Sequence, residues 1–312
     1  MVREIAAMRV ACVQYDIAWH DKQANFAKVR SLLAAAGGCQ PGGLIVLPEM
    51  FSTGFSMDLQ ATAEGQLRPA ESFLPKPGAG GGAAVQLGPA EQFLAELARH
   101  YGCHVLGGVV NVAADGLGRN EAVLYGPAGL EIIRYAKMHP FSHSGEAQYF
   151  APGDSPVVAD MACCEPGRQV PARLSGFICY DLRFPEVFRS AAMAGAEVLA
   201  VIANWPASRC EHWRTLLRAR AIENQAWVVG VNRAGSDPDV SYFGGSAVVD
   251  PRGRVVAEAA DGEMVLQAEL DLAALRQYRR EFPALDDVRP GWVRRIDKKT
   301  AEPVKNGGTR NP

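Results

Sequence analysis

No apolar run in this chain approaches the roughly 20 residues that a bilayer-spanning helix needs. The longest, "VLAVIANW" and "AWVVGVN", are strand-sized. An excess of one charge is lacking too. Against 32 Lys and Arg stand 34 Asp and Glu, a formal net charge of −2, which excludes a general binder of nucleic acid or anionic membrane. The start, "MVREIAAMRVACVQYD", has neither the apolar stretch nor the cleavage site of a signal peptide, so a cytoplasmic protein is expected. The seven cysteines are odd in number and show no C-x-x-C spacing, and Cys163 and Cys164 are adjacent. With no helical histidine pair either, neither a disulfide framework nor a structural metal is expected. There is no G-x-S-x-G elbow and no P-loop. The "GAGGG" at 78–82 follows no strand and opens no helix, so it is not a dinucleotide fingerprint.

What is present is a soluble, core-forming composition, 48% hydrophobic and 21% charged. Strand-like apolar runs alternate with amphipathic segments. "MRVACVQYDI", "GLIVLPE", "CHVLGGVVNV", "NEAVLYGP" and "EIIRYAKM" read as strands, with helices at "NFAKVRSLLAAAGG" and "PAEQFLAELARHYG". The second half repeats the style. "LSGFICYD", "EVLAVIANW" and "AWVVGVNRAG" are strands, "PEVFRSAAMAGA" and "CEHWRTLLRARAIENQ" helices, and a hairpin turns at 251–253 before the strand "EMVLQAELDL". This alternation predicts an α/β layered fold of two similar halves around one core. A single domain is expected over 1–280, with a flexible Gly/Pro-rich loop at 65–90 and a polar extension at 281–312.

Charged groups at the ends of apolar strands are informative, because such folds build their sites there. Three positions fit. Glu49 ends "LIVLPE". It reads either as a solvated strand-end carboxylate or as a desolvated general base, with Phe51 and Phe55 close by. Lys137, in "YAKMHPFSHSGE", is either a surface lysine or a cation placed for an anionic transition state, with Glu146 a partner across the loop. Cys179, in "GFICYDLRFPE", is an inert core thiol on the default reading. Its place between an apolar strand and a charged turn also suits a nucleophile near a helix start. His139, His143 and His212 are alternative bases that nothing local favours.

In this order, "LPEMFSTGF", "YAKMHPF" and "GFICYDLRFPEVFR" resemble the glutamate, lysine and cysteine motifs of the nitrilase (carbon–nitrogen hydrolase) superfamily, over residues 8–275. "NWPASRCEHWRTLLRARAIENQAWVVGVNRAG" and the Y-x-G-x-S-x-x-x-D-P-x-G pattern at 242–253 are similar to its ω-amidase branch. Pro140 stands where that branch usually has leucine. The resemblance implies a four-layer αββα sandwich and at least a homodimer. It implies a Glu49, Lys137 and Cys179 triad with Glu146 as a second glutamate, and no metal or organic cofactor. The implied reaction hydrolyses the terminal amide of a small 2-oxo-dicarboxylate monoamide through a cysteine thioester. Another amidase or N-carbamoyl hydrolase of the superfamily is the alternative. A substrate carboxylate needs a cation or amide donors. Arg183 is the nearest arginine to the nucleophile, unless it pairs with Glu186 to brace the turn, and Arg209 is a second candidate. Phe55, Tyr180 and Trp205 are expected to wall a compact pocket.

Overall fold

The computed structural model describes residues 7–64, 67–68, 87–165 and 168–289. The first half runs β1 (Ala7–Gln14), α1 (Lys22–Ala35), β2 (Leu44–Val46), the short α2 (Leu59–Thr62), β3 (Leu67–Arg68), α3 (Pro89–Tyr101), β4 (His104–Ala113), β5 (Gly118–Tyr125) and β6 (Glu131–Ala136). The second runs β7 (Val158–Glu165), β8 (Arg168–Ile178), α4 (Pro185–Met193), β9 (Val198–Ala203), α5 (Cys210–Asn224), β10 (Trp227–Asn232), β11 (Ala234–Ser236), β12 (Ser241–Phe243), β13 (Ala247–Val249) and β14 (Val255–Glu258). β15 (Met264–Asp271) and α6 (Leu272–Glu281) follow. Two of the residues expected in the 65–90 loop instead form β3, parallel to β4. The rest of that loop up to residue 86, and the extension beyond 289, lie outside the described residues.

Two sheets carry the same plan. One is ordered β15-β1-β2-β4-β5-β6, the other β7-β8-β9-β10-β13-β14. In each, three parallel strands joined by helical crossovers are followed by two antiparallel ones, and an antiparallel strand closes the far edge. Alternation of side chains along a strand explains the layering. Val10 and Cys12 of β1, with Leu44 and Val46 of β2, join the core shared with the second sheet. Their neighbours Ala11, Val13 and Ile45 face Phe26, Val29 and Leu33 of α1 and Phe93, Leu94 and Leu97 of α3. On the other side, Val187 and Phe188 of α4 and Trp213 and Leu217 of α5 join the shared core beneath the second sheet. The result is a four-layer αββα sandwich. Gly176 of β8 sits where a Cβ would meet Leu106 of β4 at 3.5 Å, so the two sheets touch face to face.

Local chemistry sets the helix ends. Asp21 caps α1 by accepting from the Ala24 amide at 2.9 Å. Pro89 opens α3, whose second residue Ala90 donates to the Glu64 carboxylate at 2.6 Å. Gly102, at φ +62°, ends that helix in the left-handed region. Among the described residues no helix is long and apolar enough to cross a membrane.

Candidate active site

Three strand ends bring the site together. Glu49 lies three residues beyond β2, Lys137 directly follows β6, and Cys179 directly follows β8. The first two belong to one sheet and the third to the other, so the site straddles the seam of the sandwich. Glu49, Lys137 and Glu146 are all buried to within 1%. The backbone of Glu49 presses against β4 at Gly108, where a Cβ would stand 2.6 Å from the Glu49 Cα and 2.5 Å from the Met50 nitrogen. Only glycine permits that approach.

Lys137 Nζ donates to Glu49 Oε1 at 3.0 Å and to Glu146 Oε1 and Oε2 at 3.0 and 2.8 Å. Burial alone would discharge the ammonium, but the carboxylates of Glu146 and Glu49 outweigh it and hold Lys137 above its ordinary pKa. Glu49 Oε2 accepts from the Asn204 backbone amide at 2.9 Å and from its side chain at 3.2 Å. The Asn120 amide donates to Glu49 Oε1 at 2.8 Å and Glu146 Oε1 at 3.0 Å. The Phe141 amide donates to Glu146 Oε2. Every carboxylate oxygen therefore meets two donors.

Cys179 opens a single 3-10 turn, Cys179–Arg183, and has φ +44°. A non-glycine residue in the left-handed region is strained by roughly 1–2 kcal/mol, and such strain gathers at functional sites. Asp181, fully buried, holds the turn. Its Oδ2 accepts from the Ile178 amide at 3.1 Å and the Tyr135 hydroxyl at 2.7 Å. Its Oδ1 accepts from the His139 amide at 3.0 Å and faces the His139 ring at 2.8 Å. The turn that opens with Cys179 is thus tied to β6 and to the residues just beyond it. Cys179 itself is half-buried, with its sulfur 3.9 Å from the Asn204 carbonyl oxygen. Its surroundings push the thiol well above its usual pKa, first by burial and then by the Glu49 charge, with Lys137 opposing. Burial and the neighbouring carboxylate thus favour the neutral thiol over the thiolate.

Phe55, Lys137, Cys179, Tyr180, Arg183 and Trp205 line one pocket of about 490 Å³. The three residues expected from the sequence to wall it, Phe55, Tyr180 and Trp205, therefore line the pocket that Lys137 and Cys179 also line, as does Arg183, the candidate for a substrate carboxylate. Arg183 forms no ion pair with Glu186. Its guanidinium lies 4.8 Å from the Trp205 ring centre and contacts His212 Nδ1 at 3.2 Å. Arg209 also lines the pocket, 5.4 Å from the Phe141 ring centre. Of the alternative bases, His139 is bound to Asp181 and stacked on Phe184, and His212 faces Arg183. Sequence reasoning passed over Asn120 and Asn204. Asn120, a polar residue within an apolar strand, carried no other signal, whereas Asn204 opens the "NWPASRC" stretch that resembles the ω-amidase branch, though it was not singled out there.

Residues 9–280 match the family described as carbon-nitrogen hydrolase. The 2-oxoglutaramate amidase of Bacillus subtilis (strain 168) is 32% identical over 90% of this chain and 97% of that protein. Omega-amidase YafV of Yersinia enterocolitica is 34% identical over 91% and 98%. Among solved structures, XC1258 from Xanthomonas campestris, described as a CN-hydrolase superfamily protein with an arsenic adduct in the active site, superposes with a TM-score of 0.75. It is 29% identical, over 91% of this chain and 98% of that one.

Proposed function

This chain belongs to the carbon–nitrogen hydrolase family, and from that premise we propose that Glu49, Lys137 and Cys179 hydrolyse the terminal amide of a small 2-oxo-dicarboxylate monoamide. 2-Oxoglutaramate and 2-oxosuccinamate are the substrates intended, and the products are the 2-oxo acid and ammonia. The observation that carries the chemistry is the carboxylate–ammonium–carboxylate group buried beneath a pocket that also holds a strained cysteine. The substrate class is supported by relatives named 2-oxoglutaramate amidase and omega-amidase over nine-tenths of the chain. It is also supported by Arg183, a cation in the same pocket available to a substrate carboxylate.

An amide is a poor electrophile, and covalent catalysis divides its hydrolysis into two easier steps. Because Cys179 rests as a thiol, its proton must leave as the sulfur attacks. Glu49 takes that proton, the S–C bond forms, and negative charge collects on the amide oxygen, where Lys137 stabilises it. Glu49 passes the proton to the nitrogen, the C–N bond breaks, and ammonia departs from a thioester. A water molecule, deprotonated by Glu49, attacks the thioester carbon. The acid leaves and the thiol is restored. Glu146 keeps Lys137 oriented throughout.

We further take 1–280 as one catalytic domain with 281–312 as an extension, supported by the family match over 9–280 and the pairing of β15 with β1. We take the assembly as a homodimer formed by packing of the outer α4 and α5 layers, where Met193 and Ile222 are 45% and 52% exposed.

Purified protein offered 2-oxoglutaramate, 2-oxosuccinamate, glutamine and an N-carbamoyl amino acid, with ammonia measured, tests the substrate class. Release from the oxo-amides in preference to the other two is expected. Turnover confined to glutamine or the carbamoyl compound would transfer the activity to another acyl group.

A further inference from the structure

We propose that Asn120, on β5, is a positioning residue of this reaction. Its side-chain amide fixes Glu49 and Glu146 relative to Lys137 and keeps Glu49 in place when Lys137 turns to the developing oxyanion. The inference rests on the reading of Glu49, Lys137 and Cys179 given above.

Asn120 touches all the charged groups beneath the pocket. Its Nδ2 donates to Glu49 Oε1 at 2.8 Å and Glu146 Oε1 at 3.0 Å. Its backbone oxygen accepts from the Lys137 amide at 2.8 Å. The same two carboxylate oxygens are the ones Lys137 Nζ meets at 3.0 Å each. Two carboxylates therefore share one ammonium and one neutral amide. The ammonium has a second task, since charge developing on the substrate oxygen draws on it and loosens its hold on Glu49 and Glu146. A neutral donor with no such task keeps the two carboxylates from separating. A cation at 120 would compete with Lys137 for them, and an anion would repel both.

The other end of the side chain supports this. Asn120 is 1% exposed, and its Oδ1 is buried with no hydrogen-bond partner among the described residues. An unpaired buried acceptor destabilises the fold. The amide is held by its donor end alone, the end that faces the two carboxylates. Turning the amide over would satisfy nothing, because it would set Oδ1 against two carboxylates.

The test compares Asn120→Ala, Asn120→Ser and the near-isosteric Asn120→Asp with the wild type on an amide the wild type hydrolyses. For Asn120→Ala, kcat falls about 10- to 100-fold while KM for the amide stays within about threefold, and the kcat–pH profile departs from that of the wild type. Asn120→Ser, which keeps one donor, recovers part of the rate. Asn120→Asp loses more near neutral pH and regains some as the pH falls and the new acid can donate. The pH dependence of Cys179 alkylation by iodoacetamide, followed by mass, shifts in the same variants. That reading decides the role of Asn120 even if the wild type turns over none of the amides offered. A folded Asn120→Ala with kcat, pH profile and alkylation within twofold of wild type overturns the proposal. So does a loss confined to melting temperature, with kcat per alkylatable Cys179 unchanged. If Asn120→Ala does not fold, Asn120→Ser and Asn120→Asp are judged by the same readings.

Discussion

At Cys179 the sulfur lies in the field of two carboxylates and one ammonium, and burial tips the balance toward the thiol. The sign of that shift sets a pH dependence. With the pKa raised, less thiolate exists at any given pH than in an unperturbed cysteine. Iodoacetamide should therefore modify Cys179 more slowly at pH 7 than it modifies the same residue in urea-unfolded protein, with the rate climbing only in alkaline solution. Equal rates in the two states would contradict the neutral-thiol assignment. Cys179→Ala should lower amide turnover by on the order of 10⁴-fold or more. Lys137→Met should lower kcat by roughly 100- to 1000-fold with substrate affinity largely kept, as for loss of an oxyanion donor. Ammonia release under saturating amide measures both. Glu49, Lys137 and Cys179 were singled out in the sequence because each breaks an apolar run with a reactive group and their three motifs come in a recognisable order, and the fold gathers them at one pocket. Asn120 and Asn204 were not, because an asparagine at a strand end has many purely structural uses, and only distances separate those from this one.

The turn between β8 and α4 that carries Cys179 shows what a short element adds. In sequence, Asp181, Arg183 and Glu186 are three charges crowded at one turn. In the fold only Asp181 braces, with four contacts to Tyr135, His139 and Ile178, while Arg183 leans on Trp205. Charge at a turn says that something is being held, and partners distant in sequence decide what. Asp181→Asn should both lower thermal stability, by about 1–3 kcal/mol for a buried acceptor that loses its charge, and slow turnover, because the turn carries Cys179. Thermal melts and kcat on one preparation check it, and a change in only one of the two would separate the turn from the chemistry. β4 plays the matching part for Glu49. Gly108→Ala puts a Cβ into the Glu49 and Met50 backbone, so kcat should fall while the pocket side chains stay as they are. A kinetic assay at 25 °C, well below the variant's melting point, separates displacement of Glu49 from unfolding.

Across the whole molecule, the two halves were legible because each element obeys its own period, two for strands and near 3.6 for helices. The closure of the sheets was not. Nothing local in "EMVLQAELDL" says that it pairs with "AMRVACVQ" at the opposite end of the described chain, as β15 does with β1 over eight residues. Nor does any local signal set the two inner faces against each other, since such strands read as apolar on both sides. The dimer proposed above, packed through the outer helices, gives the last prediction. On that proposal Ile222→Glu, with Met193→Glu, should sediment more slowly than the wild type in analytical ultracentrifugation while its fold stays intact. An unchanged sedimentation coefficient at micromolar concentration would place the assembly surface elsewhere. The pairing of the first strand with the last also bears on biosynthesis. As the chain leaves the ribosome, the glutamate, lysine and cysteine segments emerge well before β15. Until β15 arrives, β1 waits with one edge unpaired, open to other strands, and the sheet that carries Glu49 and Lys137 is incomplete. A transcript cut short between α5 and β15 should therefore yield a chain that sticks to others and does no chemistry, although Glu49, Lys137 and Cys179 have already been translated.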